Sequence, residues 1–303
     1  MKNKPNLFIP GAGKSGTSSL HELLNHHPDI SMSTLKEPHY WTDPNFENFT
    51  IEDKTEYSSL FDTNIYIGES STGYMLFPNF IERIKTHYNE TPKLIFILRN
   101  PIMRCYSHYW WLKGIGSENK DFRSAFLSDF DIEPSHLTKL KTGYHKNYFQ
   151  FGLYGKWIEK FYDNFDTSDI KIITYESLKK DKLNTMNSCF KFLGVPELDA
   201  IPETHTNKTV LLKYPYLFNR IKRIGSKNYH LPEVIKNNIP NDLKLFFRKK
   251  LVDYTFKNTQ TNKTYPNISQ KDKLFLKAHY EQDVLKLKTI TGMKFEEWKE
   301  FNG

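Results

Sequence analysis

Residues 7–20 have the sequence LFIPGAGKSGTSSL, in which an apolar run, a glycine-rich turn and an apolar-periodic segment follow one another. The apolar run predicts a buried strand, and the spacing of Leu20, Leu23 and Leu24 predicts a helix. Backbone N–H groups of such a turn and of the helix N-terminus point to one place, where the helix dipole adds positive charge. Lys14 adds a full charge. We therefore predict that this segment binds a phosphate-like group.

A simpler interpretation of the same segment is a tight strand-to-helix turn whose serines only cap the helix. The segment is also not a full Walker A loop, because that pattern requires glycine at the position of Phe8. The sequence therefore favours a related, P-loop-like phosphate cradle over an ordinary nucleoside-triphosphate site.

Length and composition limit the class of protein. The chain has 303 residues, of which 38% are hydrophobic and 15% aromatic, and this excludes a disordered chain. The formal net charge of +8 favours an anionic partner such as nucleic acid, acidic glycan, anionic lipid or nucleotide. Cys105 and Cys189 are too few for a disulfide framework, and we predict two buried thiols. With no signal sequence or long apolar run, we expect a soluble, cytoplasmic protein without an integral membrane segment.

Strand and helix patterns alternate along the chain. This alternation predicts one α/β domain, residues 1–303, with a central, mostly parallel sheet flanked by helices. Residues 44–62 are polar, and we expect them to run over the surface. Predicted strands after the first are 30–33, 65–69, 93–98 and 170–175, and predicted helices include 78–88, 101–113, 178–193 and 274–291.

A second candidate anion site follows the strand at 93–98. Arg99 ends that strand, Pro101 suits the first turn of a helix, and Ser107 lies on that predicted helix. Arginine offers bidentate geometry to phosphate oxygens, so Arg99 and Ser107 are candidates for binding a second anion. An ordinary helical serine remains the alternative for Ser107.

Residues 36–41 bring a cation, a carboxylate, an imidazole and two aromatic rings together at the end of the second strand. Ligand chemistry in open α/β sheets gathers at the carboxyl ends of strands, which makes Glu37 the best candidate for a general base. A solvated surface turn is the alternative.

The hydroxyl-rich loop 70–74 suits either ligand contacts or turn formation. The basic, polar region 202–270 suits either a lid over an anion or a solvated loop.

Several of these motifs, taken in order, resemble those of the PAPS-dependent sulfotransferases, above all the carbohydrate branch that includes the heparan sulfate enzymes. The resemblance implies the sulfotransferase fold and spans nearly the whole chain. The motifs are Lys14-Ser15-Gly16-Thr17, Lys36-Glu37-Pro38-His39, Gly68-Glu69, Arg99-Asn100-Pro101 with Arg104, Tyr106, Ser107 and Tyr109, Tyr175-Glu176, and the ending from His279 to Trp298.

The resemblance also implies a reaction, the transfer of a sulfuryl group from 3′-phosphoadenosine 5′-phosphosulfate (PAPS) to a hydroxyl or amine. The acceptor it implies is a glycan or glycolipid, not nucleic acid, and it requires no metal. Glu37 would be the base, Lys14 would stabilise the leaving oxygen, and Lys36 and His39 would orient the acceptor or assist the base, so that the implied catalytic residues are Glu37, Lys14 and His39. The implied donor-binding residues are Lys14, Ser15, Gly16, Thr17 and Ser18 for the 5′ end, Arg99 and Ser107 for the 3′-phosphate, and Lys208 as a loose counterpart of the family's adenine-side loop.

The chain departs from the resemblance in several places. The glycan 3-O-sulfotransferases carry a lysine after the Gly-Glu pair, where this chain has Ser70 and Ser71. Their late cysteine pair and the basic adenine-side loop that follows it have no clear match in this chain.

Two other functions stay open. A P-loop kinase would require ATP and Mg²⁺, and a non-catalytic polyanion-binding protein would show binding that weakens steeply with salt.

Overall fold

The computed structural model divides into two compact units. The first comprises residues 1–105, 149–207 and 270–303, and the second comprises residues 106–148 and 208–269. The residues that the structure describes are 4–42, 54–77, 79–128, 130, 146–203, 211–223, 250–251, 254–255, 260–261 and 264–302.

The first unit is built on a five-stranded sheet in the order β2-β3-β1-β4-β5, and every neighbouring pair is parallel. Its central strands carry the segments that the sequence singled out. The predicted α/β fold with a central parallel sheet flanked by helices is confirmed. The strands are β1 (Leu7–Ile9), β2 (Ile30–Met32), β3 (Tyr66–Ser70), β4 (Lys93–Leu98) and β5 (Ile170–Thr174).

Helices follow most of these strands, and short 3₁₀ turns connect others. In the second unit, β6 (Leu211–Leu212) pairs antiparallel with β7 (Gln260–Thr261). The helices are α1 (Thr17–Asn25), α2 (Lys54–Ser58), α3 (Asn79–His87), α4 (Pro101–Gly114), α5 (Phe122–Leu127), α6 (Tyr154–Tyr162), α7 (Tyr175–Lys180), α8 (Lys182–Leu193), α9 (Pro215–Arg223) and α10 (Gln270–Thr291).

Both faces of the sheet are buried, which explains the continuous apolar runs of β1 and β4. Side chains alternate along a strand, so Ile9 and Ile97 belong to an aliphatic cluster that also contains residues of α1 and α8. On β1 and β4, Phe8 and Phe96 instead contact aromatic rings, with Phe8 5.5 Å from Phe80 and Phe96 4.8 Å from Phe161 between ring centroids.

Two simpler predictions have clear outcomes. Cys105 and Cys189 are buried thiols and neither forms a disulfide, as predicted. The predicted surface course of residues 44–62 is wrong for Tyr57 on α2 and for Phe61 after it, which are both buried and whose ring centroids lie 5.0 Å apart.

None of the helices among the described residues is long and apolar enough to cross a membrane. The cytoplasmic location stays a prediction. The single domain of residues 1–303 also stays a prediction, to which the family comparison below is relevant.

Candidate active site

The connection from β1 to α1 is held against β4 by two main-chain hydrogen bonds. Ala12 N–H donates to the Ile97 carbonyl at 2.9 Å, and Ile97 N–H donates to the Gly11 carbonyl at 3.0 Å. Lys14 has a left-handed backbone with φ of 68°, and Gly16 has φ of 94°. The loop is therefore fixed at the carboxyl end of the central strands.

Helix α1 begins directly after this loop, at Thr17, with Gly16 in the capping position. Glycine offers no side chain to cap the first turn, and the N–H groups of that turn suit an external anion. Ser15 and Thr17 are buried, and Ser18 is half-buried. The start of α1, where the sequence predicts the cradle, therefore has no side-chain cap.

The Lys14 ammonium lies among other cations. Burial lowers the pKa of Lys14 most, the charges of Arg99, Lys36 and Arg104 also lower it, and Glu37 raises it, so that the pKa lies at about 8. Like charges gathered in a partly buried place favour an anionic ligand, because the ligand would relieve their repulsion.

Arg99 extends from the end of β4 to the same loop. Its Nη1 donates to the Lys14 carbonyl oxygen at 3.3 Å, and its guanidinium carbon lies 4.8 Å from the Tyr175 ring centroid. The Tyr154 hydroxyl donates to the Arg99 carbonyl at 2.9 Å. The structure thus brings together the two segments that the sequence predicted as separate anion sites.

The residues after Arg99 anchor it. The side-chain oxygen of Asn100 accepts from the N–H of Ile102 at 3.0 Å, which caps α4, and Asn100 Nδ2 donates to Glu300 at 2.8 Å. Glu176 accepts from the Asn100 N–H at 3.1 Å and from the Trp298 indole at 3.1 Å. The Tyr175-Glu176 and C-terminal motifs therefore hold the arginine segment in position.

Two predicted donor-binding residues are described less fully. Ser107 is buried on the part of α4 that belongs to the second unit. Lys208 lies outside the described residues. Their roles stay predictions.

Glu37 follows β2 and is the centre of a small polar cluster. Its backbone is left-handed, with φ of 60°, and its N–H donates to the Ser70 carbonyl at 2.8 Å. Lys36 Nζ lies 2.8 Å from one carboxylate oxygen, which the Thr72 hydroxyl also contacts at 3.2 Å. His39 Nε2 lies 3.6 Å from the other oxygen. The structure thus places Lys36, Glu37 and His39 together.

These neighbours keep the carboxyl group of Glu37 ionised. Burial raises its pKa, but the Lys36 ammonium and the His39 ring outweigh this effect and hold the pKa well below its usual range. An ionised carboxylate can accept a proton, although the contact with Lys36 lowers its basicity. An acceptor that draws Lys36 away would make Glu37 a stronger base.

A buried carboxylate lies behind this cluster. Glu69 is fully buried and accepts hydrogen bonds from the Ser71 hydroxyl at 2.5 Å and from the Tyr57 hydroxyl. Ser71 in turn accepts from the N–H of His39 at 3.1 Å, and Tyr57 accepts from the Trp41 indole at 2.9 Å. Glu69 thereby braces both ends of segment 39–41.

The sequence left two roles open for the hydroxyl-rich loop after β3, which are ligand contacts and turn formation. Its residues differ in this respect. Ser70 faces inward to His21 at 2.8 Å, and Ser71 to Glu69, so both are structural. Thr72 contacts Glu37 and belongs to the site. The sequence singled out Thr72 only as part of loop 70–74 and Tyr175 only as part of the Tyr175-Glu176 motif, and it gave neither residue a role of its own.

Among the residues that the structure describes, no group of three or more His, Cys, Asp or Glu side chains is placed to hold a metal ion. The predicted absence of a metal requirement stays a prediction.

Comparison with known proteins identifies the family. The sequence model described as "Sulfotransferase domain" matches residues 4–253, which is most of the chain. The chain belongs to the sulfotransferase family. This confirms the resemblance found in the sequence, and the comparisons give no support to a P-loop kinase.

Two relatives in this family are named for carbohydrate acceptors. Carbohydrate sulfotransferase 15 of Homo sapiens is 24% identical over 262 residues, covering 68% of this chain and 46% of the relative. Heparan sulfate glucosamine 3-O-sulfotransferase 5 of Mus musculus is 26% identical over 257 residues, covering 83% and 72%. The chain thus spans about half the length of the first relative.

A solved structure supports the fold. The sulfotransferase from Alicyclobacillus acidocaldarius superimposes with a TM-score of 0.69 at 24% identity, covering 98% of this chain and 99% of that one. At this level of identity the likeness concerns the fold.

Proposed function

We propose that this chain is a PAPS-dependent sulfotransferase that acts on a carbohydrate hydroxyl or amine. The observation that carries the proposal is the contact between the Arg99 guanidinium and the Lys14 main chain. It makes two cationic positions adjacent, as a nucleotide with phosphate groups on both its 3′ and 5′ positions requires.

The chemistry of the donor-binding residues fits such a nucleotide. The uncapped start of α1 and Lys14 would hold the 5′ end, with Ser15, Gly16, Thr17 and Ser18 supplying N–H and hydroxyl donors. Arg99 and Ser107 would hold the 3′-phosphate, and Lys208 remains a proposed contact on the adenine side. When bound, PAPS would supply the sulfuryl group and a bisphosphorylated leaving group.

The remaining residues act on the acceptor. Glu37 would take the proton from the attacking hydroxyl or amine, while Lys14 would stabilise charge that develops on the leaving oxygen. His39 and Lys36, which flank the carboxylate, would orient the acceptor. The names of the relatives above support a glycan or glycolipid acceptor.

We also propose that residues 1–303 act as one sulfotransferase domain. The family match covers residues from both compact units, so the family's sequence pattern continues from one unit into the other.

Calorimetry tests donor recognition directly. We expect 3′,5′-diphosphoadenosine to bind the full chain without metal, and ATP with Mg²⁺ to bind far more weakly. Transfer of labelled sulfate from PAPS to a panel of glycans then tests the reaction. Preference for ATP with Mg²⁺, or sulfate transfer to no glycan or glycolipid acceptor, would contradict the proposal.

A further inference from the structure

The second unit exposes a cluster of apolar and aromatic side chains on and beside α9. Tyr214 is 52% exposed, Tyr216 is 74% exposed and Leu217 is 48% exposed, whereas Phe218 on the same helix is buried. We call Tyr214, Tyr216 and Leu217, together with Lys213 and Arg220, the α9 patch. Three exposed apolar or aromatic side chains of this size within four residues are a candidate interaction surface.

Cations accompany the exposed rings. Lys213 Nζ lies 5.3 Å from the ring centroid of Tyr214, and the guanidinium carbon of Arg220 lies 5.7 Å from that of Tyr216. A basic side chain beside an exposed amphipathic ring is typical of helices that lie at the boundary between water and lipid.

The charge of the chain is concentrated in the sequence around this patch. Residues 208–269 contain 13 lysines and arginines against three aspartates and glutamates, a formal charge of +10. The rest of the chain has 30 against 32, a formal charge of −2. The partner of this region is therefore expected to be anionic.

We propose that the α9 patch docks the protein on an anionic phospholipid surface. Tyrosine rings suit the headgroup level of a bilayer, Leu217 reaches the apolar boundary, and the basic residues attract anionic headgroups. A soluble polyanion would use the charges but would gain nothing from Leu217. A neutral bilayer would use the apolar side chains but not the charge.

Vesicle sedimentation of the full chain tests this proposal. One set of vesicles contains phosphatidylcholine with phosphatidylserine, and the other contains phosphatidylcholine alone. Each basic residue near an anionic surface strengthens partition about fivefold, so we expect at least about tenfold stronger binding to the anionic vesicles. Added salt should weaken that binding, because it screens the attraction.

Two variants separate the contributions of the patch. Tyr216→Ser combined with Leu217→Ser should weaken binding to anionic vesicles by about tenfold or more, since it removes the apolar contact. Arg220→Glu should weaken it as well, but only at low salt. Leu285→Ser is the matched control, because Leu285 is 58% exposed on α10 in the first unit and should not affect binding.

Several results would overturn the proposal. These are equal binding to both kinds of vesicle, binding to neither, or vesicle binding that persists in the patch variants or falls equally in the control. A further contrary result is that the Tyr216→Ser and Leu217→Ser changes weaken binding to soluble heparin as much as to vesicles, since the partner would then be a polyanion. Thermal unfolding of each variant verifies that it is folded.

Discussion

Lys14 shows how a single residue couples folding to ligand binding. Its folded pKa of about 8 lies below the ordinary lysine value of 10.5, because burial and neighbouring cations disfavour the charged form. The charged lysine therefore costs stability at neutral pH, and this cost disappears as the pH rises from about 8 toward 10.5. A bound anion would compensate the same charge.

The affinity for 3′,5′-diphosphoadenosine should therefore decline above about pH 8, as Lys14 loses its proton. Arginine stays charged in this range, so a Lys14→Arg variant should show a much flatter profile between pH 7 and 9 if it binds. Calorimetric titrations across that range measure the effect. Parallel pH profiles for the wild type and the arginine variant would exclude Lys14 as the titrating group.

Glu37→Gln should reduce turnover by about 10² to 10⁴-fold, because the amide cannot accept the proton of the acceptor. Donor affinity should stay within about twofold, since no donor contact is assigned to Glu37. Initial rates of labelled-sulfate transfer and calorimetry measure the two quantities.

Glu22→Gln is the matched control for that substitution, because Glu22 is exposed on α1 and should leave turnover unchanged. Wild-type turnover in Glu37→Gln would remove this residue from the role of base. Loss of donor binding in Glu37→Gln would instead mean that the substitution disturbs the loop between β1 and α1.

At the scale of elements, the turn between β1 and α1 requires glycine at position 16 for two reasons. Its φ of 94° is rarely adopted by other residues, and a Cβ there would lie 2.8 Å from the Tyr175 ring. Gly194 ends α8 with φ of 71°, but nothing lies within 4 Å of its Cβ position. A substitution at Gly194 therefore measures backbone strain alone, whereas one at Gly16 measures backbone strain together with a steric clash.

Gly194→Ala should lower the free energy of unfolding by about 1 kcal/mol, from backbone strain alone. Gly16→Ala should lower it by about 2–3 kcal/mol, because the Tyr175 ring must also move. Urea unfolding of both variants measures the difference. Equal losses of unfolding free energy in the two variants would contradict this prediction, because the Tyr175 ring would then move at no cost in stability.

Helix α10 packs on α6 through a carboxylate. Asp283 accepts from the N–H groups of Gly155 and Lys156, both at 2.8 Å, at the start of α6. Burial nevertheless raises the pKa of Asp283 to about 6. A raised folded pKa contributes stability that is present below about pH 4 and is lost as the pH rises through 6.

The free energy of unfolding of the wild type, minus that of Asp283→Asn at the same pH, should therefore fall by about 2–3 kcal/mol from pH 4 to pH 7. Urea unfolding at pH 4, 5, 6 and 7 measures this change. Glu281→Gln, at an exposed position of the same helix, should show no comparable trend. Parallel curves for the wild type and Asp283→Asn would contradict the assignment.

Much of the architecture could be predicted because periodicity is local. Strand β4 has the predicted bounds, and α4 starts at Pro101 as expected, since proline there has no N–H to lose. The predicted helix 178–193 was wrong as one element. It belongs to two helices, α7 and α8, because Asp181 leaves the helical conformation and its side chain caps α8 through the Asn184 N–H.

The residue types of the candidate site could be predicted from the sequence, but the contacts that hold these residues in place could not. Glycine, lysine and arginine at strand ends signal anion binding by themselves. The bracing of His39 by Ser71 and Glu69 depends on contacts between residues about 30 positions apart. Helix α2, which contains the buried Tyr57, is five residues long and otherwise polar. It is too short for an apolar periodicity to show in the sequence.

For the whole molecule, the charge is divided unequally along the sequence. Both proposed donor contacts at the loop, Lys14 and Arg99, lie in the first unit, whereas the excess positive charge of the sequence lies at 208–269. Net charge alone therefore does not locate the proposed nucleotide site. We propose that a few cations at the ends of parallel strands form it.

The most direct test of the central claim is calorimetric titration of the wild type, Arg99→Ala and Lys14→Ala with 3′,5′-diphosphoadenosine and with 5′-AMP. Arg99→Ala should weaken binding of the diphosphate by about 10 to 100-fold, since charged hydrogen bonds contribute roughly 1.5–3 kcal/mol, and should change 5′-AMP binding little. Lys14→Ala should weaken both, because both ligands carry the 5′-phosphate. Equal weakening of the two ligands by Arg99→Ala, or none, would contradict the claim that these two residues bind opposite ends of one nucleotide.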